Sequence, residues 1–166
     1  RRGRLGALLP CARVPWRRAA AWIVLGTVGT QAFSIGYSLL LRWCGISVPM
    51  QEVMQMILGL TRVRDVALTL AVGVVLVPVA EELLYRGVLF GALRARMRLW
   101  LAVTISALVF AAVHIELAYF IPVAVLGAVS ALSYARTKSI AVPIGLHILN
   151  NLAACTYVML ELALIG

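Results

Sequence analysis

The sequence is poor in the residues on which several kinds of site depend. Asp65 is its single aspartate, one of 6 acidic residues in 166, which excludes chemistry that needs a pair of aspartates. Its two histidines do not belong to an H-E-x-x-H sequence, and no G-x-S-G sequence is present, which counts against two further kinds of hydrolytic site. The cysteines show no C-x-x-C spacing and indicate neither a disulfide framework nor a metal knuckle. They are Cys11, Cys44 and Cys155.

Apolar residues, by contrast, are in excess. They make up 63% of the chain, and the mean hydropathy is +1.01, whereas a globular domain has roughly 45–50% apolar residues. This composition predicts an all-α fold, a polytopic transmembrane helical bundle. We divide the chain into a basic juxtamembrane segment, 1–18, and a membrane-embedded domain, 19–166.

The apolar runs predict five membrane spans, and a mixed segment after the first predicts a helix that lies at the interface. The spans are 19–41, 65–93, 99–114, 119–135 and 140–165. The interfacial helix is expected within 42–64. The second span exceeds the roughly 20 residues that cross the hydrocarbon, and Pro78 is expected to kink it.

The net charge is +9, from 15 Lys and Arg against 6 Asp and Glu. Basic residues lie at the ends of apolar segments, so membrane lipid with anionic heads is a better partner than nucleic acid. With the N-terminus inside, eleven of them are cytoplasmic and three are not, which predicts this orientation. The preference for arginine over lysine favours a bacterial inner membrane. The chain begins with Arg1 rather than Met, so a fragment or processed form is expected, and no signal peptide is predicted.

Two adjacent glutamates, Glu81 and Glu82, lie within the second apolar segment. A charged side chain at the centre of a bilayer costs roughly 2.5–3.5 kcal/mol on insertion scales, and neighbouring carboxylates also repel each other. Arg86 follows Glu82 by four residues, so the two can pair on one helix face. Glu81, turned by about 100° around the axis, then faces elsewhere. Such a pair indicates a reaction or an ion path.

Both histidines also lie in apolar spans, each with a companion four residues away on the same face. The pairs are Phe110–His114 and His147–Asn151. At about 1.5 Å per residue, Glu81, His114 and His147 lie ~18, ~22 and ~12 Å from their cytoplasmic ends, so they can meet within the membrane. Glu81 with a histidine can hold and deprotonate a water. His147 with the amide of Asn151 can stabilise the oxyanion that follows attack on a carbonyl.

Three motifs stand in order on separate predicted helices: E-E-x-x-x-R at 81–86, F-x-x-x-H at 110–114 and H-x-x-x-N at 147–151. With them the chain resembles the CPBP family, which comprises the CAAX prenyl endopeptidases and the bacterial bacteriocin-processing and immunity proteins, also called Abi. The resemblance covers about residues 65–155. It implies an intramembrane endopeptidase, a peptide hydrolase that cleaves a membrane-associated peptide or protein with a glutamate-activated water.

The resemblance also implies roles for individual residues. By position, Glu81 and His114 activate the water, His147 and Asn151 form the oxyanion site, and Glu82 with Arg86 is the supporting ion pair. Family members are often called metalloproteases, although a metal-free glutamate mechanism is also argued for them. We favour the mechanism without a cofactor; a divalent metal such as Zn, if present, would be bound by Glu81, His114 and His147. Eukaryotic CAAX enzymes usually carry more helices before E-E-x-x-x-R, which favours the bacterial branch.

Two interpretations from other classes stay open. A non-catalytic membrane scaffold or immunity protein would keep these residues only to bind a partner. A transporter fragment would use the glutamates and histidines as a proton relay. Individual residues also have plainer interpretations: Glu81 as a structural polar contact, Phe110 as packing, and Asn150 as a rival to Asn151.

Overall fold

A computed structural model of the chain describes residues 13–50 and 52–165. We number its helices in chain order as α1 (Trp16–Trp43), α2 (Glu52–Leu58), α3 (Val63–Arg94), α4 (Leu99–Ala112), α5 (Phe120–Thr137) and α6 (Ala141–Ile165). The described residues contain no β-strand, so the predicted all-α class is confirmed. Residues 1–12 of the predicted basic segment, with Cys11, lie outside the described part.

Four helices of the described chain are long and apolar enough to cross a membrane: α1, α3, α5 with the short 3₁₀ turn before it, and most of α6. The fifth, α4, is apolar but has only 14 residues. It is therefore about 21 Å long, shorter than the ~30 Å hydrocarbon layer. The predicted helical membrane bundle is confirmed, but the predicted third span extended past the helix end at Ala112, so that His114 lies just beyond α4.

The segment between α1 and α3 contains the amphipathic helix that the sequence predicts there. In α2, Met54 and Ile57 are buried, whereas Met56 is exposed. Such one-sided burial is typical of an amphipathic helix. Just before α2, the carbonyl of Pro49 accepts a hydrogen bond from the hydroxyl of Tyr119. This contact ties the segment to the turn between α4 and α5.

The backbone hydrogen-bonding pattern of α3 changes twice along its length. Val72–Leu76 and Leu83–Phe90 form π-helical turns on either side of the α-helical segment Val77–Glu82. A π turn changes the rotational phase of the side chains that follow it, and π turns are frequent at functional sites. Both glutamates lie at the end of the central segment, immediately before the second π turn.

Pro78 explains the first π turn. Proline has no N–H, and the N–H of the preceding Val77 binds the carbonyl of Val72 in the π pattern. By the same five-residue step, an N–H at position 78 would bind the carbonyl of Gly73, and Pro78 cannot supply it. The side-chain nitrogen of Asn151 donates to this carbonyl instead, at 3.3 Å. The sequence predicts a kink at Pro78, and the structure shows a change of helical pattern just before it, supported by a hydrogen bond from α6.

Close packing joins α4 to α5 because Gly127 carries no side chain. A Cβ there would lie 3.1 Å from the Cα of Ala107 and 3.2 Å from the ring of Phe110. With the fully buried Ala131, Gly127 forms a small-xxx-small pair, which lets membrane helices approach closely. Phe110 packs at this seam in a buried cluster with Leu146 of α6.

Hydrogen bonds fasten α1 to α6. The hydroxyl of Thr30 donates to Oδ1 of Asn150 at 2.8 Å, and Nε2 of Gln31 donates to the backbone carbonyl of Asn150 at 2.8 Å. A Cβ at Gly26 would lie 2.5 Å from the side chain of Leu146, so the two helices also touch directly. Asn150 thus faces α1 and serves as an interhelical contact.

We expect Gly127→Leu to destabilise the fold by about 1–3 kcal/mol, the usual cost of overpacking, because the new side chain would meet Ala107 and Phe110. The matched control is Gly91→Leu, since no heavy atom lies within 4 Å of a Cβ built on Gly91. Thermal unfolding of the purified variants in one detergent compares them. Equal unfolding midpoints would contradict the close approach of α4 and α5.

Candidate active site

The two glutamates of α3 have different surroundings. Glu82 is fully buried, and its Oε2 lies 3.0 Å from Nε of Arg86, one helical turn further on. The side chain of Glu81 is 24% exposed and faces the two histidines. The carboxylate of Glu82 is therefore held in an ion pair, and that of Glu81 remains accessible.

Arg86 is as completely buried as its partner. Besides the ion pair with Glu82, its Nη2 donates to the carbonyl of Gly127 at 3.3 Å. Its Cζ lies 4.6 Å from the centroid of the Phe110 ring, a cation–π contact. Nε and Nη1 of Arg86 have no hydrogen-bond partner among the described residues, so the ion pair compensates the buried charge. The contacts of Arg86 connect α3 to both α4 and α5.

His147 bridges the two glutamates from α6. Its Nδ1 lies 3.0 Å from Oε1 of Glu82, and its Nε2 lies 3.7 Å from Oε2 of Glu81. An ionised carboxylate only accepts hydrogen bonds, so Nδ1 is the donor in the shorter contact. Because the imidazole is almost completely buried, the contact with Glu82 fixes its orientation.

His114 approaches Glu81 from the end of α4. Its Nδ1 donates to the carbonyl of Phe110 at 2.7 Å, and its Nε2 lies 3.8 Å from Oε1 of Glu81. The side chain is 33% exposed, so the site is open on this side. Both histidines thus present Nε2 to Glu81, at distances too long for direct hydrogen bonds.

Phe110 is the common support of these groups. Its ring centroid lies 4.7 Å from that of His114 and 5.7 Å from that of His147. Tyr85 packs against it edge-on at 5.0 Å, and Arg86 lies over its face. The sequence predicts packing for Phe110, but not that one ring contacts both imidazoles and the guanidinium. The four-residue spacing to His114 is the sequence signal for this arrangement.

Asn151 lies on the same face of α6 as His147, one turn further along. Its side-chain nitrogen contacts the carbonyl of Gly73. Gly73 precedes Glu81 by about 12 Å along the helix axis, so this contact points away from the carboxylate. An amide nitrogen carries two N–H groups, and the oxyanion role of Asn151 stays a prediction.

The turn after α4 is strained where it meets the site. Ile115 has a φ of 61°, a left-handed conformation that is an outlier for a β-branched residue. Across it, the N–H of Glu116 donates to the carbonyl of His114 at 2.7 Å, which makes a γ-turn of the rare, strained kind. The side chains of Ile115 and Leu117 stand out beside His114, 86% and 88% exposed. Backbone strain of this kind clusters at functional sites.

Glu81, His114 and His147 are the ligands that the sequence predicts if a divalent metal is bound. Within residues 13–50 and 52–165, no three His, Cys, Asp or Glu side chains form a group that could hold a metal ion. The Nε2 atoms of His114 and His147 lie 3.8 and 3.7 Å from the carboxylate oxygens of Glu81. Metal dependence is therefore a question for experiment.

Comparison with known proteins assigns the chain to a family. The family model of the Rce1-like type II CAAX prenyl endopeptidases matches residues 63–153, more than half of the chain. This stretch includes all three motifs. The chain therefore belongs to the Rce1-like type II CAAX prenyl endopeptidase family, and the resemblance seen in its motifs is confirmed. No solved structure matches it.

Three bacterial proteins are similar to parts of the chain. The putative membrane peptidase YdiL of Bacillus subtilis (strain 168) is 35% identical over 89 residues, 54% of this chain and 36% of that protein. The membrane-embedded CAAX protease MroQ of Staphylococcus aureus (strain USA300) is 38% identical over 81 residues, 45% of this chain and 32% of that protein. An uncharacterized 24.3 kDa protein of Escherichia coli is 29% identical over 139 residues, 81% of this chain and 59% of that protein. The chain thus spans less than two thirds of each of these relatives.

Arg86→Met should destabilise the protein by about 3–5 kcal/mol, because it leaves the buried Glu82 carboxylate without its ion-pair partner. The double variant Glu82→Gln/Arg86→Met removes both charges and should recover most of this loss. Unfolding midpoints in detergent measure both. A single variant as stable as the wild-type protein would contradict the structural role of the pair.

Ile115→Gly should stabilise the fold, because glycine adopts a left-handed φ at little cost. The relief of strain is about 1–3 kcal/mol, reduced by the ~0.5–1 kcal/mol that glycine loses in backbone entropy. Leu117→Gly is the matched control, since Leu117 is equally exposed but has no positive φ, and it should be slightly destabilising. A lower unfolding midpoint for Ile115→Gly than for the wild-type protein would contradict the strain.

Proposed function

We propose that this protein is an intramembrane endopeptidase that hydrolyses a peptide bond of a membrane-associated substrate. The observation that carries the proposal is that the three motifs meet at Glu81. Its Oε1 lies 3.8 Å from Nε2 of His114, and its Oε2 lies 3.7 Å from Nε2 of His147. Family membership supports the same class of activity. A carboxylate flanked by two imidazoles is a suitable site for activating a water.

The distances favour a water as the nucleophile. The carboxylate and imidazole atoms, 3.7 and 3.8 Å apart, are too close for a water between them, but a water beside them, about 2.8 Å from each atom, contacts both. Glu81 takes a proton from this water, and the water oxygen attacks the carbonyl carbon of the substrate. His114, whose Nδ1–H is engaged by the carbonyl of Phe110, presents its Nε2 lone pair to the water and orients it.

His147 is best placed to receive the negative charge that develops on the carbonyl oxygen. Glu82 accepts a hydrogen bond from Nδ1, so this role requires the imidazolium form, in which Nε2–H donates to the oxyanion. Asn151 would add a donor through its second N–H. When the peptide C–N bond breaks, the proton held by Glu81 passes to the leaving amine.

The proposed setting is a bacterial inner membrane, with the N-terminus in the cytoplasm. In support, the basic N-terminal end of α1 lies beside the basic C-terminal end of α5, because Nη2 of Arg18 donates to the carbonyl of Arg136 at 3.0 Å. Basic residues favour the cytoplasmic side. Because MroQ is named a CAAX protease, prenylated peptides belong among the substrates tested.

Glu81→Gln and His114→Ala should each reduce peptide cleavage by roughly 10²–10⁴-fold, the usual contribution of a general acid or base. Membrane peptides with and without a C-terminal prenyl group would be incubated with the protein in nanodiscs, and the fragments identified by mass spectrometry. Asp65→Asn is the matched control, because Asp65 pairs with Arg64 at the surface. It should retain the wild-type rate.

Two results would assign the protein to a different class, and two would change the mechanism. Unchanged cleavage by Glu81→Gln would contradict a glutamate-activated water. A folded wild-type protein that cleaves none of the peptides would favour a scaffold or immunity protein, and proton-coupled uptake lost in Glu82→Gln would favour a transporter. Activity lost in a strong chelator and restored by one divalent metal would contradict the metal-free reaction.

A further inference from the structure

A groove between α1 and α5 lies apart from the candidate active site. Its volume is about 550 Å³, and none of the glutamates and histidines lines it. Apolar side chains form most of its walls: Trp22, Leu25 and Phe33 of α1, and Val125 and Val129 of α5. It is a surface that the proposed reaction does not use.

The lining of the groove follows one face of α1. Arg18, Trp22, Leu25, Gly29 and Phe33 line it at intervals of three or four residues, the spacing of a single helix face. The stripe is about 22 Å long, and a helix about 10 Å across would fill roughly 1,700 Å³ over that length. The groove has about 550 Å³, so an extended acyl chain fits it better than a second helix.

One end of the groove is positively charged. Arg18 lies there, and its Nη2 donates to the carbonyl of Arg136 in the last turn of α5. This hydrogen bond holds the guanidinium at the mouth of the groove, where its other N–H groups can bind a phosphate. Arg136 and Lys138 are exposed nearby in sequence. Clusters of this sign attract anionic lipid headgroups.

We propose that the groove binds one anionic phospholipid, with the phosphate at Arg18 and an acyl chain extended towards Phe33. Gly29 keeps the space open, since no heavy atom of the described chain lies within 4 Å of a Cβ built on it. Because the groove has walls from both α1 and α5, the bound lipid would hold these helices together. The site does not depend on the proposed reaction.

Native mass spectrometry of the delipidated protein measures binding of phosphatidylglycerol, with phosphatidylcholine for comparison. Gly29→Leu would place a side chain in the groove, and no heavy atom of the described chain lies within 4 Å of its Cβ. It should weaken phosphatidylglycerol binding on the order of tenfold, the loss expected when about two methylene groups lose their buried contacts. Gly36→Leu is the matched control, because Gly36 has equally open surroundings on the same helix but does not line the groove. It should bind like the wild-type protein.

Arg18→Gln tests the headgroup site. It should weaken phosphatidylglycerol binding about fivefold, the factor for one basic residue near an anionic surface, and leave phosphatidylcholine binding unchanged. Arg17→Gln is its control, since Arg17 lies over the Trp16 ring instead, 5.5 Å from its centroid.

Equal binding of both lipids by the wild-type protein, or unchanged phosphatidylglycerol binding in Gly29→Leu and Arg18→Gln, would overturn the proposal. A dimer lost only in Gly29→Leu, with lipid binding unchanged, would assign the groove to a second copy of the chain and overturn it too.

Discussion

The buried ion pair between Glu82 and Arg86 is the interaction on which the rest of the site depends. Neither charge is stable alone in a low-dielectric interior, so each side chain is held where the other can reach it. The second carboxylate oxygen of Glu82 orients His147, and a second guanidinium nitrogen of Arg86 binds the carbonyl of Gly127. One pair thus connects α3, α5 and α6 and leaves Glu81 as the carboxylate that faces the two histidines.

In a membrane, polar contacts and small residues determine which helix faces meet, because lipid tails are as apolar as the helix surfaces. Gly127 contributes in both ways: its missing side chain brings α4 against α5, and its carbonyl receives Arg86. The contact between Asn151 and Gly73 acts in the same manner, since Pro78 leaves a backbone carbonyl without its donor and α6 supplies one. A backbone carbonyl such as that of Gly73 would be costly without a hydrogen bond in lipid, and the hydrogen bond that satisfies it aligns α3 and α6.

Local patterns in the sequence were sufficient for two predictions. The length of the apolar runs predicted the membrane helices, and the four-residue spacing predicted the pairing of Glu82 with Arg86. The contact of His147 with Glu82 was not predicted, since it depends on how far α6 is rotated against α3, and long-range packing sets that rotation. The end of α4 was placed too late, because apolar residues continue past Ala112 without a glycine or proline. The left-handed φ of Ile115 has no sequence signal at all: a β-branched residue is the least expected one there.

The shortness of α4 affects the bilayer around it. A helix of 14 residues falls about 9 Å short of the hydrocarbon thickness, and thinning of the lipid beside it is one way to accommodate the difference at a modest cost per ångström. His114 sits at this end of the helix. A local dimple in the membrane would bring bulk water down to the imidazole, so the reagent of the proposed hydrolysis would have its own entry route. Turnover would then vary with the thickness of the host membrane.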